Sequence, residues 1–221
     1  MGVTDVTGRE ANVAMLGGAI LSAKPALATQ EAEAVALPPP RRKGGKPLIE
    51  ALAFRRSTRE YSDRPLPLQV LSDLLWSAFG VNRPSGDRTA PYWRHIMVID
   101  VYAAMAGGVW LYEPKGHALR PHLRADIRAQ TGQQDFVGTA PLNLIYVAHG
   151  DRMQDISPAE RRLYASTDTG FIGQNVHLFC ASEGLATVFR GAVDYEKLDK
   201  TMQLGADQFV TFAQTVGYPR V

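Results

Sequence analysis

The sequence predicts an α+β fold, a sheet covered by helices, and three observations carry the prediction. Apolar β-branched runs alternate with amphipathic helical stretches through residues 47–221. Two of the runs, Val109–Glu113 and Ala118–Arg120, flank Pro114-Lys115-Gly116-His117 and read as a hairpin, which argues against a purely parallel sheet. One helical stretch opens with the capping box Ser157-Pro158-Ala159-Glu160 and runs to Gly184, long enough to be a domain's central axis or a subunit interface.

The elements follow in order. Pro47 starts a short helix whose Leu48, Ile49, Leu52 and Ala53 form an apolar face, ending at Arg55-Arg56. After Pro65 and Pro67 comes a helix over Leu68–Phe79, with Leu71, Leu74, Leu75 and Ala78 on one face. Residues 82–91 are a loop by their Gly and Pro content, and Ile96–Tyr102 is a strand. Pro121–Gln130 reads as helical, and Leu142–Ala148 as a buried strand. The long helix carries Ile172, Val176 and Cys180 inward, with a kink expected at Asp168-Thr169-Gly170. A strand over Leu185–Phe189, a helix over Tyr195–Met202 opened by Asp194, and a strand over Phe209–Val216 finish the chain.

Charge narrows the function. The 221 residues hold 24 Lys+Arg and 22 Asp+Glu, and the excess lies entirely in the first 46, so residues 47–221 carry 18 of each. A neutral body excludes nucleic acid as the main partner, because that affinity comes from clustered cations releasing counterions. One cysteine, Cys180, excludes an intramolecular disulfide and a Cys-based zinc cluster, and no His pair has ligand spacing. The apolar run 13–21 followed by Ala26-Leu27-Ala28 reads as a signal peptide over residues 1–28, which implies an exported, periplasmic protein. The balance of Arg9 against Asp5 and Glu10 leaves open a plain N-terminal extension of a cytoplasmic protein. Residues 29–46, with a Pro triplet, a basic cluster and a Gly pair, read as a solvated linker, and no run spans a membrane.

The most unusual local feature is FRRSTREYSDR, with Arg55, Arg56, Arg59 and Arg64 around Ser57 and Thr58. Residue types alone leave a solvated loop and an anion site equally open; guanidinium forks and a hydroxyl match phosphate oxygens. His177 reads as a core or interface histidine, Asp168 as a local cap or buried polar partner. Without a nucleophile, base or metal signature, and with a phosphate-type site, the chemistry points to a bound cofactor.

RRSTREY, LLWSAFGVNRP, GQQDFVGTAPLNLIYVA, DTGFIGQNVHLFCASEGLATVFRG and TVGYPR together resemble the FMN-dependent nitroreductase family, nearest to its SagB-type and exported branch. The resemblance covers nearly all of residues 47–221. It implies a three-layer α+β sandwich with a mixed, mainly antiparallel sheet, and a homodimer with FMN in two interface clefts. It implies that Arg55 and Ser57 bind the FMN phosphate, with Arg56 beside them and Arg220 closing from the C-terminus. Arg59 would lie over the pyrimidine end of the flavin, where a cation raises the reduction potential. Val188 would pack on the ring, and the backbone N–H groups of Arg190 and Gly191 would approach its N5 and O4; Gly191 lets the backbone come close. Pro91 would contact the cofactor, but APYWRH departs from the family's polar pattern around it, placing Tyr92 and Trp93 where Ser, Asn and Gln are usual. The implied activity is ping-pong transfer of hydride or electrons from a reduced donor to a nitro compound or quinone, with little side-chain acid/base chemistry. A SagB-like azoline dehydrogenase and a flavin-binding protein of low turnover are the alternatives.

Overall fold

The computed structural model describes Met1 and residues 34–220, and the residues expected to form a signal peptide lie outside this range apart from Met1. Seven strands form one sheet in the order β1-β4-β3-β2-β5-β7-β6: Val35–Ala36 (β1), Ile99–Met105 (β2), Gly108–Glu113 (β3), Ala118–Leu123 (β4), Leu142–His149 (β5), Ala186–Arg190 (β6) and Gln208–Gly217 (β7). Every pairing among the described residues is antiparallel, which removes the parallel component implied by a mixed sheet. Among the described residues four α-helices complete it: Leu48–Phe54 (α1), Leu68–Phe79 (α2), Pro158–Glu183 (α3) and Tyr195–Thr201 (α4).

Alternation along the interior strand β5 makes three layers. Leu142, Leu144, Tyr146 and Ala148 join the core under α2 and α3, while Ile145 and Val147 join the core under α4 with Leu198 and Met202. A strand apolar on both faces has to be covered on both, and period-two geometry sends successive side chains to opposite helices. The α3 helix lies close on the sheet at Gly173, where a Cβ would overlap the Phe189 ring. It begins with the expected capping box, runs unbroken through residues 168–170, and ends at Gly184 in the left-handed region at φ 70°, which favours glycine.

Some expectations are corrected. The stretch 121–130 is not a helix: it completes β4 and then forms a single 3-10 turn at Arg128–Gln130, because pairing with β3 satisfies its backbone. The segment expected to be a solvated linker is bound to the domain over residues 35–46. Val35 and Ala36 pair with β4, Leu37 is buried, and Arg41 donates from its backbone N–H and Nε to Asp73 at 2.7 and 2.6 Å. Asp73 is only 2% exposed, so the strap supplies the cation a buried carboxylate needs. On α1 the apolar face is turned outward: only Ala51 is buried, while Leu48, Ile49, Leu52 and Phe54 are exposed.

Candidate functional site

The arginine-rich segment is strung between two elements that hold it rigidly. Thr58 donates its N–H to Thr187 O of β6 at 2.9 Å, and Ser62 donates to Tyr218 O at 3.0 Å. Tyr61, which forms a bridge with Pro219, donates its hydroxyl to Thr58 O at 2.6 Å and is buried beside Phe136 and Val188. Short polar residues and a buried anchor thus make an ordered turn of the run between α1 and α2.

This turn, the last two turns of α3, the start of β6 and the C-terminal Pro219-Arg220 enclose a cavity of about 640 Å³. Arg56, Ser57 and Arg59 line it from one side, Arg220 from another, and His177, Cys180, Ala181 and Gly184 from α3. Arg220 is fixed by its N–H to Glu60 O at 3.2 Å and its Nε to Tyr61 O at 3.3 Å. Arg55 does not line the cavity but lies close enough for its charge to act on His177. Arg64 belongs elsewhere, with its guanidinium 4.1 Å from the Tyr218 ring centroid.

The arginines of the chain fall into paired and unpaired groups. Arg41, Arg83, Arg120, Arg128 and Arg152 each meet a carboxylate within 4 Å. Among the described residues Arg55, Arg56, Arg59 and Arg220 have no such partner, although Glu60 shares the cavity. Burial and the charge of Arg55 hold the His177 imidazole below the ordinary histidine range. Burial pushes the Cys180 thiol far up, so it is inert as a nucleophile at neutral pH.

The remaining sequence-predicted residues lie outside the cavity. Val188 points from β6 into the small core with Tyr61 and Phe136. The Arg190 side chain is buried under the sheet, with Nε donating to Thr215 Oγ1 at 3.0 Å and Nη1 to Thr131 O at 2.9 Å. Its Nη2 reaches Asn143 Oδ1 at 3.1 Å. Held by neutral oxygens, it is lowered by burial to about 10. At Gly191 a Cβ would have 3.5 Å to the Phe212 ring, so the chain itself leaves room there. Pro91 precedes an aromatic turn fastened to the first half of α3: Trp93 donates its N–H to Asp168 Oδ2 at 2.9 Å and its ring packs on Tyr164. Asp168 is nine residues before His177, about 13 Å along the axis.

Four residues of the α3 wall had a signature in sequence: 177, 180, 181 and 184 fall at i, i+3, i+4, i+7, a single helical stripe. Lys46, Thr187 and Pro219, which also line the cavity, had none, since only folding brings the strap, β6 and the tail together.

The layered sheet with an arginine-lined cavity at the end of its longest helix defines an α+β protein with a candidate anion site. Residues 52–218 match the model of the nitroreductase family, and the chain belongs to that family. It is similar to a nitroreductase candidate of Methanocaldococcus jannaschii, 31% identical over 155 residues, covering 66% of this chain and 78% of that one. It is also similar to the crystal structure of a nitroreductase candidate from Ralstonia eutropha JMP134, with 42% identity, a TM-score of 0.82, and coverage of 87% of this chain and 92% of that one. The NADPH:FMN oxidoreductase of Vibrio harveyi, complexed with NAD+, shares the fold at 19% identity and a TM-score of 0.60, over 79% and 69% of the two chains.

Proposed function

We propose that the protein is an FMN-dependent oxidoreductase that passes hydride or electrons from a reduced donor to a nitro compound or quinone in a ping-pong cycle. The observation that carries the reading is the set of arginines around one cavity, none of which meets a carboxylate within 4 Å among the described residues. Such an arrangement repels itself, and an anion carrying up to two negative charges, such as a phosphate monoester, relieves it. The residues fit: Ser57 offers a hydroxyl donor, Arg56, Arg59 and Arg220 offer guanidinium forks, and the cavity is in the size range of small-molecule sites. Bound FMN would supply the redox centre, and the chain would hold its phosphate and set the charge around it.

The outward apolar face of α1, with Ile49 76% exposed, and the exposed Leu163 and Phe171 of α3 support a homodimer as part of the same proposal. Export through residues 1–28 belongs to it as well; N-terminal sequencing of the secreted protein tests it, and an intact Met1 counts against it. Anaerobic stopped-flow mixing of FMN-loaded protein with NADH, NADPH and quinols tests the activity. Bleaching of the flavin band by one donor and its recovery on adding a nitroaromatic or quinone is the expected result. A protein that refuses FMN overturns the reading.

A further inference from the structure

His177 is distinguished by what the fold leaves undone around it. It is 7% exposed, and neither ring nitrogen has a hydrogen-bond partner among the described residues; Nδ1 is sealed from water altogether. Leaving a buried polar group unpaired is costly, and this chain avoids it at its other enclosed histidines. His149 meets Asp100 at 2.7 Å, His117 meets Ser72 at 2.7 Å, and His122 meets Met202 O at 2.8 Å. The unpartnered ring is also the one that lines the arginine cavity.

The charges facing that ring come from every wall. Arg55 acts on the ring directly, Lys46 of the strap, Arg56, Arg59 and Arg220 line the same cavity, and Glu60 is the one carboxylate lining it among the described residues. Cys180, one turn further along α3, is held as the thiol. In this surplus of positive charge a further cation is disfavoured and the neutral imidazole is the favoured form. A phosphate dianion reverses the sign of the local potential, and the protonated ring becomes the favoured form.

The geometry points to His177 as a proton-coupled ligand of the bound anion: on entry of a phosphate group the ring takes a proton from solvent and donates a hydrogen bond to it. No covalent bond changes, and the proton is released again when the anion leaves. The inference rests on the FMN reading and adds a residue and a pH response to it. By linkage, affinity is strongest where the bound ring is protonated and the phosphate is still a dianion, and it weakens as pH rises through the bound ring's pKa.

The test is calorimetric titration of apoprotein with FMN at pH 7.5 in two buffers of different ionisation enthalpy, with riboflavin in parallel. Wild type should take up a substantial fraction of a proton with FMN and none with riboflavin. His177→Gln should lose that uptake and bind FMN about tenfold more weakly, with the two proteins converging by pH 9. His177→Leu should leave the apoprotein Tm equal to or above wild type, because the ring makes no bond to lose. Unchanged proton uptake and affinity in His177→Gln, with normal FMN binding by wild type, overturns the role of His177 alone. A lowered apoprotein Tm in both variants also overturns it, in favour of a structural ring. Failure of wild type to bind FMN overturns the cofactor reading and this inference with it.

Discussion

Two basic runs of this chain have similar compositions and opposite fates. In the strap, Arg41 grips Asp73 and reaches Glu183 at 3.2 Å, while Arg42 covers the Trp76 ring. In the turn after α1, Arg55, Arg56 and Arg59 find no carboxylate within salt-bridge range among the described residues, and Arg220 is brought across to join them. The strap's arginine closes on a buried carboxylate; the turn's arginines are the ones we propose to meet an anion. An arginine therefore reads as structural or ligand-binding only through what stands opposite it, and partner geometry decides what composition leaves even.

The sharpest way to break the comparison is to remove charge from the turn. Arg56→Ala with Arg59→Ala should weaken FMN retention by a hundredfold or more, on the order of 3 kcal/mol, while the apoprotein Tm stays put or rises. Fluorescence titration and thermal unfolding of the apoprotein check both halves, and a large fall in Tm would make this turn structural like the strap.

A second contrast runs along α3, where a partnered acid precedes the unpartnered His177. Burial raises Asp168 to about 6, although Trp93 N–H pulls the other way. Its folded pKa lies above the unfolded value near 3.9, so the folded state binds the extra proton between these values. The stability from that protonation is present below about pH 4 and is lost as pH rises through about 6. Asp168→Asn should flatten the profile over that window and gain about 2 kcal/mol at pH 8, read by urea unfolding at pH 4, 6 and 8. An unaltered pH profile would refute it.

Arg41→Ala should lower the Tm by a few degrees, because it strips Asp73 of its cation, and leave FMN affinity within twofold of wild type. Arg64→Ala should do least: its guanidinium rests on Tyr218 outside the cavity, so a shift of about 1 °C and unchanged FMN binding are expected. A tenfold loss of FMN in either variant would erase the division between the two groups of arginines.

Much of this molecule was legible in its sequence. The β5 run, the α2 face, the Ser157–Glu160 box and the Gly184 stop are local patterns, set by side-chain period and by capping of unpaired backbone groups, and they determined the α+β class and the element order. The arginine run and the family likeness marked the turn and the tail as an anion site. Tertiary structure alone decided what depends on residues far apart in the chain. Asp73 captures the strap from 32 positions away, where composition suggested a free linker. Pairing with β3 made strand of residues that looked helical, the apolar face of α1 turned outward, and His177, buried as expected, came to line a cavity as well. Charge compensation, strand pairing and burial are long-range properties, and no window of sequence contains both halves of any of them.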